Sequence, residues 1–89
     1  MVMSKVPVYF MPGLAASPTI FENIKLPEDQ FEMHFLEWFL PNDKESIESY
    51  ALRMTEKIQD ENPVLVGVSF GGILVQEMAK HIKTQKVII

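Results

Sequence analysis

Cysteine is absent from this 89-residue chain. That excludes disulfides, thiolate nucleophiles and Cys-ligated metal sites, and it fits the cytoplasmic location expected here. No apolar run approaches the ~20 residues needed to span a bilayer. A basic excess is missing as well. The net charge is −4, so neither nucleic acid nor an anionic membrane surface is an expected partner. Histidine is scarce, with only His34 and His81. What remains is an ordinary globular composition. Hydrophobic residues make up 47%, enough for a core and too many for a disordered chain. The length allows one domain at most and buries roughly 60–65% of the surface of the unfolded chain.

Short apolar runs alternate with helical periodicity. Val6 to Met11 is continuous and apolar, as in a buried parallel strand covered on both faces. It ends at Pro12-Gly13, a turn signal. Pro7 belongs at the start of that strand, since it cannot donate to a ladder. Lys5, the run to Leu14 and Ala15-Ala16-Ser17 loosely imitate a secretory signal. Pro7, Pro12 and Gly13 interrupt the imitation. Ser17-Pro18 reads as an N-cap followed by the first helical position. Ile20, Phe21 and Ile24 would form its apolar face, and Pro27 its end. Phe31, Met33 and Phe35 alternate with Glu32 and His34, which predicts a second strand. Ile47, Tyr50, Ala51, Met54 and Ile58 fall on one helical stripe, capped by Ser46 or Asp43. Val64-Leu65-Val66 is a third strand. Ile73 to Lys83 is helical in character, with Val75, Met78, Ala79 and Ile82 on one face. Val87-Ile88-Ile89 begins a fourth strand. Strands alternating with helices build a parallel sheet with right-handed crossovers.

The third strand delivers the chain into Gly67-Val68-Ser69-Phe70-Gly71-Gly72, and a helix leaves it. A serine on so tight a strand-to-helix turn holds a strained backbone, and small residues two before and two after it let neighbouring elements approach. The turn would lift the Ser69 hydroxyl out at the carboxyl end of the sheet, where open α/β folds bind ligands. Ser69 would also sit at a helix N-terminus, whose unpaired N–H groups favour negative charge. The pentapeptide alone is weak evidence, arising by chance in roughly 3% of chains this long when Gly is near 7% of residues. The preceding strand, the following helix and the second glycine strengthen it. The plain alternative is a tight glycine turn with Ser69 as a helix cap.

The stretch Pro63 to Ala79 resembles the nucleophile elbow and following helix of the α/β-hydrolase superfamily. Val87-Ile88-Ile89 resembles the next strand of that fold. Tyr9-Phe10-Met11-Pro12-Gly13 resembles the family's strand ending in His-Gly, with Pro12 in place of that histidine. The resemblance implies a three-layer α/β sandwich with a parallel sheet of about four strands, ordered second, first, third, fourth. Residues 1–89 would be the N-terminal part of a single α/β-hydrolase domain, and the mock signal would be its first core strand and oxyanion loop. The implied activity is esterase-like hydrolysis of a small-molecule carboxylic ester or similar acyl bond. Ser69 would be the nucleophile. The amides of Phe70 and Leu14 would form the oxyanion hole, and Gly13, Gly67, Gly71 and Gly72 would shape the elbow and loop. No cofactor and no metal are implied.

The family orders its triad serine, acid, histidine. After Ser69 only Glu77 and His81 offer those chemistries. On a continuous helix His81 would lie about 18 Å along the axis from Ser69, too far to be its base, and solvated surface is its expected place. His34 is expected to be structural or exposed. The acid and base are therefore expected outside these residues, and the 89-residue chain alone is expected to be nearly inactive. Two alternatives stay open: a non-catalytic module holding an anion at the elbow, or an acyltransferase or thioesterase using the same serine. Trp38 has two readings, core or pocket wall, with core the more ordinary. The six methionines read as core filler and Asp60-Glu61 as a solvated loop. No metal-ligand spacing stands out.

Overall fold

The computed structural model describes residues 5–13 and 18–89. Within them four parallel strands form one sheet: β1 (Val6–Met11), β2 (Phe31–Phe35), β3 (Val64–Gly67) and β4 (Lys86–Ile88). Their order is β2-β1-β3-β4, which is the order the resemblance implies. The last β1–β3 register pair places Met11 opposite Gly67, so β1 and β3 end side by side. That alignment brings the loop after β1 to the turn after β3.

Alternation along β1 explains why its continuous apolar run is buried on both faces. Tyr9 and Met11 join one core with Leu65 and with Tyr50, Ala51, Met54, Leu74, Val75 and Met78. Those helical residues come from α1 (Ile47–Thr55) and α2 (Phe70–Met78), which pack on each other and cover the same face of the sheet. Val8 and Phe10 point the other way, into a smaller cluster around Phe21. The helix expected after Ser17 is only one 3-10 turn, Pro18–Phe21, and Ser17 itself lies outside the described residues. Its apolar face does not form as expected. Phe21 is buried, but Ile20 and Ile24 are exposed, because a single turn presents one side chain to the sheet rather than a stripe.

The stripe on α1 behaves as its spacing predicts. Tyr50, Ala51 and Met54 are buried, with Ile47 and Ile58 packed at the margin. Ser46 caps the helix, its side chain accepting from the Ser49 amide at 3.1 Å. The elbow helix differs from expectation at both ends. It starts at Phe70 rather than Ile73 and stops at Met78. The first helical hydrogen bonds already form across the glycines, Gly71 N–H to Val68 O at 2.9 Å and Gly72 N–H to Ser69 O at 2.8 Å.

A polar clamp fixes the loop between β2 and α1. The Arg53 guanidinium donates Nε to Glu45 Oε2 at 2.8 Å and Nη2 to Glu45 Oε1 at 2.6 Å. Such a two-pronged pair is directional as well as strong. Glu45 also accepts from the Asn42 amide and the Ser49 hydroxyl. The guanidinium lies 4.4 Å from the centre of the Phe39 ring. Tyr50 completes the clamp by donating its hydroxyl to Phe39 O at 2.6 Å and accepting from Phe39 N–H at 2.8 Å. The hydrogen bonds from Arg53 hold the Glu45 carboxyl down at about 2. A carboxylate depressed on folding stabilises the folded state above its ordinary pKa, and that contribution disappears as pH falls through the folded value. Glu45→Gln should therefore lower the thermal midpoint at about pH 5 and converge on the parent protein toward pH 2. A gap that stays constant across this range in paired thermal melts would contradict the assignment.

Candidate active site

The site is assembled at the carboxyl ends of β1 and β3. Val68 N–H donates to Met11 O at 3.1 Å, which ties the turn after β3 to the end of β1. Ser69 then takes φ 56° and ψ −125°. A positive φ is costly for a residue with a Cβ, on the order of 1–3 kcal/mol. Lys44 and Asn62 share a positive φ but sit in surface turns. Ser69 stands at the N-cap of α2 and makes no side-chain cap hydrogen bond. The plain alternative of a capping serine is thus not what its side chain does. The residue is exposed.

The glycines around it are needed for space rather than for unusual dihedrals, since none has a positive φ. A Cβ on Gly67 would lie 2.6 Å from Gly72 Cα, and one on Gly71 would lie 2.5 Å from Met11 O. Contacts that close to backbone leave no room for any side chain. Gly72 has a milder restriction, with a Cβ there 3.3 Å from the Ile89 side chain. Gly13 stands beside the nucleophile candidate, where an added Cβ would come within 3.7 Å of Ser69 Cβ. Ser69, Gly13, Gly67, Gly71 and Gly72 are therefore brought together. Phe70 joins them. Its N–H belongs to the first helical turn and has no backbone acceptor among the described residues. Leu14, the other expected amide donor, lies outside the described residues.

Trp38 is not simply core. It is half-buried and its indole N–H donates to two carbonyls, Gly13 O at 2.8 Å and Pro12 O at 3.1 Å. Its ring stacks on Phe70 with centroids 5.7 Å apart and planes 12° apart. One side chain thus braces the loop after β1 and the residue following Ser69. Trp38 and Phe70 also form part of a cavity of about 540 Å³, with Phe39, Leu40, Ile47 and Tyr50 as its other apolar walls. Pattern reasoning had no means of finding this bond, because the indole and its acceptors lie 25 and 26 residues apart.

Neither histidine serves Ser69. The His34 Nε2 lies 2.6 Å from Glu32 Oε1, and its ring stacks on Tyr9. His81 departs from its expected solvated place. Its Nε2 is buried with no hydrogen-bond partner among the described residues. Asp60 is likewise no plain solvated residue, since it accepts from the Tyr9 hydroxyl at 2.6 Å. Burial, followed by the Asp60 contact, raises the Tyr9 pKa. Among the described residues no helix is long and apolar enough to cross a membrane.

No family model, curated protein or solved structure matches the chain.

Proposed function

We propose that the chain is the nucleophile-bearing part of an α/β-hydrolase-type serine hydrolase that cleaves a carboxylic ester or similar acyl bond. The observation that carries this reading is the backbone of Ser69. A strained, exposed serine between a central strand and a helix, with no cap bond of its own, is costly without a chemical use. In the proposed reaction Ser69 Oγ attacks the acyl carbon and its proton passes to a histidine base. The Phe70 N–H donates to the resulting oxyanion, assisted by the Leu14 amide. Collapse expels the alcohol, which takes the proton from the histidine. Water then releases the acid by the same steps in reverse.

The reading requires an acid and a base that these residues do not place near Ser69. In the family they follow the nucleophile in chain order. The exposed Ile73, Ile88 and Ile89 offer apolar surface on which further sheet and a third layer would pack. A cytoplasmic setting goes with this reading. Transfer of the acyl group to an alcohol or thiol acceptor would use the same serine.

The cavity beside Phe70 points to an apolar acyl group. Among the described residues no cationic side chain lines it. Ile47 sits in its wall, so Ile47→Trp should fill part of it. In protein that includes the acid and histidine, kcat/KM for a long acyl ester should fall by about tenfold or more. The corresponding acetyl ester should change little. Equal losses on both esters would remove the cavity from the substrate path.

A further inference from the structure

We propose that Glu32, His34 and Asp60 form a binding site for a zinc-like divalent cation on the helix-bearing face of the sheet. Strand alternation places Glu32 and His34, two residues apart on β2, on the same side as Tyr9, which pairs with His34 in register. The segment between α1 and β3 supplies Asp60. Tyr9 fixes the arrangement from below. Its ring lies parallel to the imidazole, with centroids 4.4 Å apart and planes 12° apart. Its hydroxyl donates to Asp60 Oδ2 at 2.6 Å and accepts from Gln59 N–H at 3.2 Å.

The donor atoms then converge. His34 Nε2 lies 2.6 Å from Glu32 Oε1 and 3.6 Å from Asp60 Oδ2, and all three fall within 4.8 Å of one another. Ligands of a tetrahedral ion with bonds near 2.1 Å stand about 3.4 Å apart, so shifts of less than about 1.5 Å would seat one. Two carboxylates and a neutral imidazole supply a charge of −2, matched to a divalent ion. The nitrogen donor favours zinc, cobalt or nickel over magnesium or calcium. Three protein ligands leave a fourth position open. His34 and Tyr9 also line a cavity of about 400 Å³ with Leu36, Lys57 and Gln59, with room for water or a small ligand. The bound ion would tie edge strand β2 to the α1–β3 connection. This proposal is independent of the role of Ser69.

The test uses the 89-residue chain after chelator treatment, at a pH where imidazole is neutral. Zinc is titrated by calorimetry, cobalt by its visible absorption, and the His34 imidazole is followed by NMR. One equivalent should bind, shift the His34 resonances selectively and raise the thermal midpoint. His34→Gln and Asp60→Asn should each abolish binding, while His81→Gln should leave it intact. Tyr9→Phe, which removes the hydroxyl that orients Asp60, should weaken it by 10–100-fold. No saturable binding would overturn the proposal and leave the cluster as a histidine hydrogen-bonded to Glu32 beside Asp60. Binding that persists in His34→Gln, or that shifts His81 instead, would overturn it equally. The wild-type NMR titration decides the matter even if a variant fails to fold.

Discussion

Ser69→Ala should lower kcat of the catalytically complete protein by on the order of 10⁶, the loss that follows removal of a serine nucleophile acting as one unit with its base. KM should change far less, because the apolar walls around Trp38, Phe39 and Tyr50 would still bind the acyl group. The substitution also relieves nothing in the backbone. Alanine keeps a Cβ at φ 56°, so the strain remains and stability should be nearly unchanged. Ester hydrolysis and a chemical melt of the same variant measure both quantities. A variant that retains a tenth of the parent rate would end the nucleophile assignment. The 89-residue chain alone should show near-background hydrolysis with or without Ser69, since no histidine is positioned to take its proton.

Gly71→Ala should be strongly destabilising. Two effects oppose each other. Alanine is the better helix former by about 1 kcal/mol, and Gly71 lies in the first turn of α2. Against that, the new methyl would lie 2.5 Å from Met11 O and 3.0 Å from Pro12 C. Those atoms belong to a central strand and its exit, held by neighbours on both sides, and they cannot rotate away as a side chain would. Overpacking ordinarily costs about 1–3 kcal/mol, and a clash with backbone belongs at the upper end. The steric cost wins, with a net loss of about 2 kcal/mol. For a chain this long, total stability is roughly 4–13 kcal/mol, so the loss is a large share. Urea unfolding of Gly71→Ala against Ile73→Ala tests it. Ile73 is half exposed on the same helix, and its truncation should cost only about 0.5 kcal/mol. Parity between the two variants would show that the elbow is looser than its contacts require.

Much of this was legible in one dimension because the relevant information is local. The run Val6 to Met11 and the stripe on α1 report burial through period alone, whereas on β2 Phe35 is exposed and His34 half-buried despite the alternation. The glycines at 67 and 71 report close approach, although which atoms approach them is not local. The failures have the same explanation reversed. Residues after Ser17 carry a plausible helical pattern, yet only one turn forms, since an isolated short helix needs tertiary packing that Ile20 and Ile24 do not receive. Glu45 and Arg53 lie eight residues apart, a spacing that announces nothing until the loop folds back on α1. His34 and Asp60 are further still, and neither belongs to a recognisable ligand spacing.

The amino-acid order alone determined the strands, the parallel α/β class and the position of Ser69 at a strand-to-helix turn, because backbone period, turn chemistry and glycine spacing act over a few residues. Tertiary structure alone decided what those elements touch. It set Trp38 across the carbonyls of Pro12 and Gly13, buried His81 Nε2 without a partner among the described residues and gathered Glu32, His34 and Asp60 around one point. Side-chain encounters across 20 or more residues depend on how the sheet stacks its crossovers, and no local pattern encodes that.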